Sequence, residues 1–98
     1  MKLPSRQEII NGLKRAIGED FSDEEINSIY DQLYGALTWF EMGALASIET
    51  AGNSLIMSRK QLAILSRRVA DLQPPDLAAR AQAAISQGIQ NGSITIRD

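Results

Sequence analysis

The chain of 98 residues contains no cysteine and no histidine. Disulfides, thiol chemistry, Cys/His zinc sites and acid–base catalysis by imidazole are therefore excluded. Aromatic residues are few: two phenylalanines, two tyrosines and one tryptophan. The remaining composition, 44% hydrophobic and 22% charged, is close to the globular average and predicts one folded domain over residues 1–98. Because the first residues, MKLPSRQE, lack the apolar core of a signal peptide and a cysteine-free chain suits a reducing compartment, we expect a cytoplasmic protein.

Charge is distributed unevenly along the chain. The net charge is −2, but residues 1–50 carry four basic against nine acidic side chains, and residues 51–98 carry six against three. Halves of opposite sign can pair with each other within one molecule or across a dimer. The small net charge gives no general indication of nucleic-acid binding.

Capping boxes mark the beginnings of the first two predicted helices. In a capping box, a Ser or Thr side chain and a Glu or Gln side chain three residues later each accept a hydrogen bond from the other's backbone N–H. Ser5 with Glu8 and Ser22 with Glu25 have this spacing. They predict one helix over about residues 5–17 and a second that begins at about residue 23.

The second predicted helix is unusually long, over about residues 23–51. Nine apolar positions fall within about 60° of one direction at 100° per residue, and no proline interrupts them. These positions are Ile26, Ile29, Tyr30, Leu33, Leu37, Phe40, Ala44, Ile48 and Ala51. A helix of this length would extend about 42 Å. Gly35 and Gly43 each weaken it by up to about 1 kcal/mol relative to Ala, so the predicted helix would break most easily near either glycine.

Two shorter helices follow in the prediction. A leucine-rich stripe predicts a helix over about residues 54–72, with an alternative start at Ser58, which has capping-box spacing to Gln61. The Pro74–Pro75 pair ends that helix, and the alanine-rich sequence after it predicts a fourth helix over about residues 75–89.

The C-terminal tail alternates apolar and polar residues like a short strand. One strand has no visible partner in the sequence, so a frayed tail and a strand added to a partner's sheet both remain open. The predicted fold is all-α: a four-helix bundle-like domain with one long central helix and a short irregular or strand-like tail.

No motif for catalysis, metal binding or a cofactor is present. The acidic stretch over residues 18–25 lacks the alternating ligands and the twelfth-position Glu of a calcium loop. We interpret Glu41 as a boundary residue of the core, with its carboxylate in water. We therefore predict a non-enzymatic protein with no metal and no cofactor.

A second apolar face on the long helix suggests an interface. Opposite the main stripe lie Gly35, Trp39, Met42 and Ala46. A helix with two apolar faces is normally buried on both, so this face needs either the fourth helix or a second chain as cover. We favour a homodimer with Trp39 as anchor, because Trp is enriched at binding hot spots. Residues 32–48 lie at the short limit of a membrane span and contain a carboxylate, so we expect no membrane insertion.

The third predicted helix carries four basic residues and no acidic one. Lys60 and Arg67 point within about 20° of each other, opposite the leucine stripe; Arg59 and Arg68 flank them, and Ile64 shares their face. Such a face is compatible with a solvated surface, an ion-pair partner, a protein interface or a phosphate-binding helix.

The functional prediction is a protein–protein interaction module, of the adaptor, inhibitor, chaperone or immunity type, that acts through apolar and basic helix faces. The alternative is a small nucleic-acid-binding regulator that uses the basic third helix. The predicted partner-binding residues are Gly35, Trp39, Met42, Ala46, Lys60, Ile64, Arg67 and Arg68.

Overall fold

The chain folds into helices and a small mixed sheet. A computed structural model describes residues 5–17, 20–38, 40–41, 44, 48–51 and 54–97. The elements in these residues are α1 (Arg6–Ile17), α2 (Asp23–Ala36), β1 (Glu49–Ala51), β2 (Ser54–Ser58), α3 (Arg59–Ala70), α4 (Pro75–Asn91) and β3 (Ile94–Arg97). Phe40, Glu41 and Ala44 are also helical.

The sheet shows that the predicted all-α fold is wrong. Strand β2 lies in the middle, antiparallel to β1 and parallel to β3. The apolar periodicity predicts a helix over residues 54–58, because Leu55 is in phase with the leucines that follow. In the strand, side chains alternate between the two faces, so Leu55 and Met57 are buried while Ser54, Ile56 and Ser58 are half-buried.

The C-terminal tail finds its strand partner within the same chain. Leu55 lies opposite Ile94 and Ser58 opposite Arg97 in the parallel ladder, and the Leu55 N–H donates to the Ser93 carbonyl at 2.8 Å. Nothing in the sequence pattern indicates this pairing, because the periodicity of the partner segment, residues 54–58, predicts a helix. The helix and tail are joined at Gly92, whose φ of 84° is the left-handed conformation that ends α4.

Helix α2 ends at Ala36, so the predicted continuous helix over residues 23–51 is also wrong. Leu37 is extended, with φ −78° and ψ 139°, and its N–H donates to the Leu33 carbonyl at 2.9 Å. The break falls immediately after Gly35 and Ala36, near one of the two glycines where it was expected. At the far end of the predicted helix, residues 49–51 form β1 rather than a helical turn.

The other helix boundaries lie closer to their predictions. Helix α3 begins at Arg59, with Ser58 as its N-cap, which is the alternative start noted in the sequence. Helix α4 spans Pro75–Asn91, against a prediction of 75–89, and it begins with proline in its first turn.

The core is built from α1 to α4 and from two of the strands. Its buried members include Leu13 and Ile17 of α1, Ile26, Ile29 and Leu33 of α2, Leu55 and Met57 of β2, Val69 of α3, Leu77, Ala81 and Ile85 of α4, and Ile94 of β3. Among the described residues, no helix has both the length and the apolar character needed to cross a bilayer.

Two helical glycines differ in their surroundings and provide a matched test of the packing between α4 and β3. A Cβ added at Gly88 would lie 2.7 Å from Ile94 Cδ1 and 2.9 Å from Ile94 Cγ1, whereas one added at Gly35 would meet nothing within 4 Å. Because Ile94 is buried, we expect Gly88→Ala to lower the free energy of unfolding by about 1–2 kcal/mol through overpacking. Gly35→Ala should raise it by up to about 1 kcal/mol through helix propensity. Urea unfolding of both variants makes the comparison, and equal effects at the two sites would contradict the close approach of β3 to α4.

Candidate interaction surface

The carboxylate of Glu41 lies at the centre of a polar cluster that joins the segment after α2 to α3. Its Oε2 accepts from Arg67 Nη2 at 3.0 Å and from Arg68 Nε at 3.2 Å, and its Oε1 accepts from Arg68 Nη2 at 2.7 Å. Glu41 is only 5% exposed. The interpretation of Glu41 as a boundary residue with a solvated carboxylate is therefore wrong.

Thr38 and Glu41 form a capping box, inside the predicted long helix, that is absent from the sequence predictions. The Thr38 N–H donates to Glu41 Oε1 at 3.0 Å, and the Glu41 N–H donates to Thr38 Oγ1 at 3.1 Å. This is the same spacing that marked Ser22 with Glu25 and Ser58 with Gln61, and both of those pairs also form in the structure. A capping box begins a new helical segment at Thr38, which explains why α2 does not continue through it.

A second polar contact ties this segment to α3. Besides capping its own helix, Gln61 donates from Nε2 to the Ala44 carbonyl at 2.6 Å. Glu41 and Ala44 are therefore both bonded to side chains of α3.

The surroundings of Glu41 favour its ionised form. The hydrogen bonds from Arg68 and from the Thr38 backbone lower the pKa of Glu41 from 4.5 to about 2, although burial acts in the opposite direction. The same contact raises the pKa of Arg68 above its usual value. Glu41 is therefore an anion near neutral pH and a fixed counter-charge for two arginines.

Phe40, next to this anchored carboxylate, is 65% exposed. It belongs to the apolar stripe of the predicted long helix, so its expected place in the core is wrong. The Lys60 ammonium lies 4.3 Å from the centroid of its ring, at the distance of a cation–π contact. The structure thus presents an aromatic ring to solvent beside a cation, on a segment held by hydrogen bonds at Glu41 and Ala44.

The structure brings together three of the eight predicted site residues. Lys60, Arg67 and Arg68 all contact the segment around Phe40 and Glu41. Gly35 is exposed near the end of α2, while Ile64 is 7% exposed and therefore not available as surface. Trp39, Met42 and Ala46 lie outside the described residues.

The oppositely charged halves of the chain pair with each other inside the molecule. Arg67 and Arg68 bind Glu41, Arg80 binds Glu25, and Arg97 binds Glu49 at 3.0 Å. Four of the six basic residues of the second half are thus in contact with carboxylates of the first half. The basic helix face serves in large part to hold the chain together.

The described part of the chain contains no candidate metal site. No group of three or more Asp and Glu residues there is placed to hold a metal ion, and every buried side-chain nitrogen or oxygen has a hydrogen-bond partner. Comparison with known proteins finds no matching family model, no matching curated protein and no matching solved structure.

The Glu41 cluster predicts a specific dependence of stability on charge and pH. Glu41→Gln keeps the shape of the side chain but leaves Arg68, whose side chain is 22% exposed, without its counter-charge. We expect a clear loss of stability in urea unfolding at pH 7, whereas Glu24→Gln, an exposed control in the first turn of α2, should change stability by less than about 0.5 kcal/mol.

The pH profile of the same variants provides the second readout. Because the pKa of Glu41 is lower in the folded state, its stabilising effect is complete above about pH 4.5 and is lost as the pH falls towards 2. Glu41→Gln should therefore show a shallower loss of stability over this range than the wild type, with Glu25 still titrating there in both proteins. Parallel pH profiles for wild type and Glu41→Gln would contradict the role assigned to this carboxylate.

Proposed function

We propose that this chain is a non-enzymatic protein-binding module whose contact surface is centred on Phe40. The observation that carries the proposal is the 65% exposure of this ring on an anchored segment. An exposed large apolar side chain forgoes about 1.5–3 kcal/mol of burial energy. A partner that covers the ring would recover that energy on binding.

The anchoring of the neighbouring residues supports the proposal. Glu41 is held by Thr38, Arg67 and Arg68 through hydrogen bonds, so Phe40 is displayed by a backbone that is already ordered. A preorganised aromatic side chain loses little conformational entropy on binding, which is typical of interface hot spots. Lys60 over the ring and Arg67 on the adjacent Glu41 add positive charge to the contact surface.

The proposed class is an adaptor, inhibitor, chaperone or immunity-type protein that acts in the cytoplasm. The absence of histidine and cysteine, which many enzymes use in catalysis, supports this class. The exposed Phe40 surface, which is suited to contact with another protein, supports it as well. The nucleic-acid alternative has less support than it had from the sequence, because Arg67 and Arg68 already bind a carboxylate.

The homodimer remains a prediction. It depends on a long helix with two apolar faces, whereas α2 ends at Ala36. Trp39, Met42 and Ala46 lie outside the described residues, so the homodimer has no support from their contacts. Sedimentation equilibrium at tens of micromolar tests it, and a monomer there would contradict it.

Stability measurements test whether Phe40 belongs to the surface. We expect Phe40→Ala to lower the free energy of unfolding by less than about 1 kcal/mol, because its ring is mostly in water. Leu33→Ala, at a position 3% exposed in α2, should cost about 2–5 kcal/mol. A comparable loss for Phe40→Ala would place the ring in the core and contradict the proposal.

Partner capture tests the function itself. Tagged wild type, Phe40→Ala and Tyr34→Ala are compared by affinity capture from lysate of the source cells with quantitative mass spectrometry. Tyr34 is the matched control, an aromatic residue that is 50% exposed on α2. We expect one set of proteins to be enriched by wild type and Tyr34→Ala and lost with Phe40→Ala. Equal enrichment by all three would show that the Phe40 surface is not the binding site.

A further inference from the structure

We propose that the partner of the Phe40 surface is an acidic segment of another protein, with a large apolar side chain between its carboxylates. This inference rests on the proposed function and names the chemistry of the partner. It is carried by two cations of α3, Lys60 over the ring and Arg67 on the adjacent Glu41 carboxylate, which keep charge or hydrogen-bond donors available.

Lys60 is the first of these cations. It is exposed at the beginning of α3, and its contact in the described part of the chain is the Phe40 ring rather than a carboxylate. An ammonium over an aromatic face keeps its full charge for an anion that approaches from solvent. A partner that covers the ring therefore meets this charge directly.

Arg67 is the second cation. Its side chain is 67% exposed, and a single one of its nitrogens bonds to Glu41, whereas Arg68 engages both oxygens of that carboxylate. Within the described residues, the other N–H groups of Arg67 are left for a partner. The cluster contains the cations Lys60, Arg67 and Arg68 and the buried carboxylate of Glu41, and Asp71 also interacts electrostatically with Arg68, so these residues keep an excess of positive charge.

The spacing of the cations suggests how such a segment would lie. Lys60 and Arg67 are seven residues apart on one helix face, a rise of about 10.5 Å. Two glutamates seven residues apart on a partner helix have the same spacing, and a leucine between them would face the Phe40 ring. Carboxylates opposite these cations would favour encounter and orientation.

The acidic surface of a second copy is a poorer match to this site. The exposed acidic residues at the start of α2 include Asp23, which binds Lys14 at 3.1 Å. The ring of Phe21, two residues before Asp23, lies under the Arg80 guanidinium at 4.6 Å. That patch therefore lacks an apolar side chain free to cover Phe40.

The test uses two synthetic helical peptides that differ in charge alone. One carries glutamates at positions 1 and 8 with leucine at positions 4 and 5, and the other has lysines in place of the glutamates. Binding to the full chain is measured by fluorescence anisotropy at low salt. We expect the glutamate peptide to bind more tightly than the lysine peptide, and Phe40→Ala to weaken that binding.

Charge reversal at Lys60 makes the test specific. Lys60→Glu should lower the affinity for the glutamate peptide by about three- to fivefold and raise the affinity for the lysine peptide. An exposed charge pair contributes up to about this factor to binding. Lys14→Glu is the matched control, a helical lysine with a half-exposed side chain on α1, and should leave both peptides unchanged.

Several outcomes would overturn the inference. Absence of glutamate-peptide binding, equal affinity for the two peptides, or equal effects of Lys60→Glu and Lys14→Glu would show that the partner is not acidic. Tighter binding of a DNA duplex with a steep salt dependence would assign the cations to phosphates. Dissociation of a homodimer by Lys60→Glu would make a second copy the occupant. If a peptide test fails but affinity capture of a partner is still lost with Phe40→Ala, the proposed function stands and only this inference is wrong.

Discussion

The buried carboxylate of Glu41 is the constraint on which the rest of the candidate surface depends. An ionised group with 5% exposure needs hydrogen bonds and counter-charge, since an unpaired buried charge is strongly destabilising. Glu41 obtains both from Thr38 on its own segment and from Arg67 and Arg68 on α3. These contacts fix where the segment after α2 lies and which side of it faces solvent.

The exposure of Phe40 follows from this arrangement. A continuous helix through Leu37 and Thr38 would place Phe40 in phase with the core residues of α2, and burying its ring would contribute about 1.5–3 kcal/mol. The chain forms the Thr38 cap instead, which is itself worth about 1 kcal/mol. The ion pairs of Glu41 and the Gln61 contact with Ala44 add to the cap. Together these interactions favour a chain that leaves the helical conformation at Leu37 over a continuous helix. The Phe40 ring is therefore left exposed for a partner.

Local patterns predicted the helices well where the deciding contacts are local. The capping boxes at Ser22 and Ser58 form as their spacing indicates, and Pro75 begins α4. The same spacing in Thr38 and Glu41 indicates the end of α2, but the apolar periodicity that runs through these residues predicts a continuous helix. The pairing of β2 with β3 could not be predicted in this way, because it joins residues far apart in sequence, whereas β1 and β2 are neighbours along the chain. Of the candidate site, the cations were predicted and their internal partner was not, since ion pairing between Glu41 and Arg68 is a tertiary contact.

The most direct measurement of this arrangement is the set of NMR Cα and carbonyl chemical shifts for residues 33–41. We predict helical shifts up to Ala36, extended shifts at Leu37 and Thr38, and helical shifts again at Phe40 and Glu41. In Glu41→Gln, the N–H of Thr38 should lose its charged acceptor and shift more than any amide of α1. Uninterrupted helical shifts from Leu33 to Glu41 in the wild type would contradict the break, the buried ion pair and the exposure of Phe40 together.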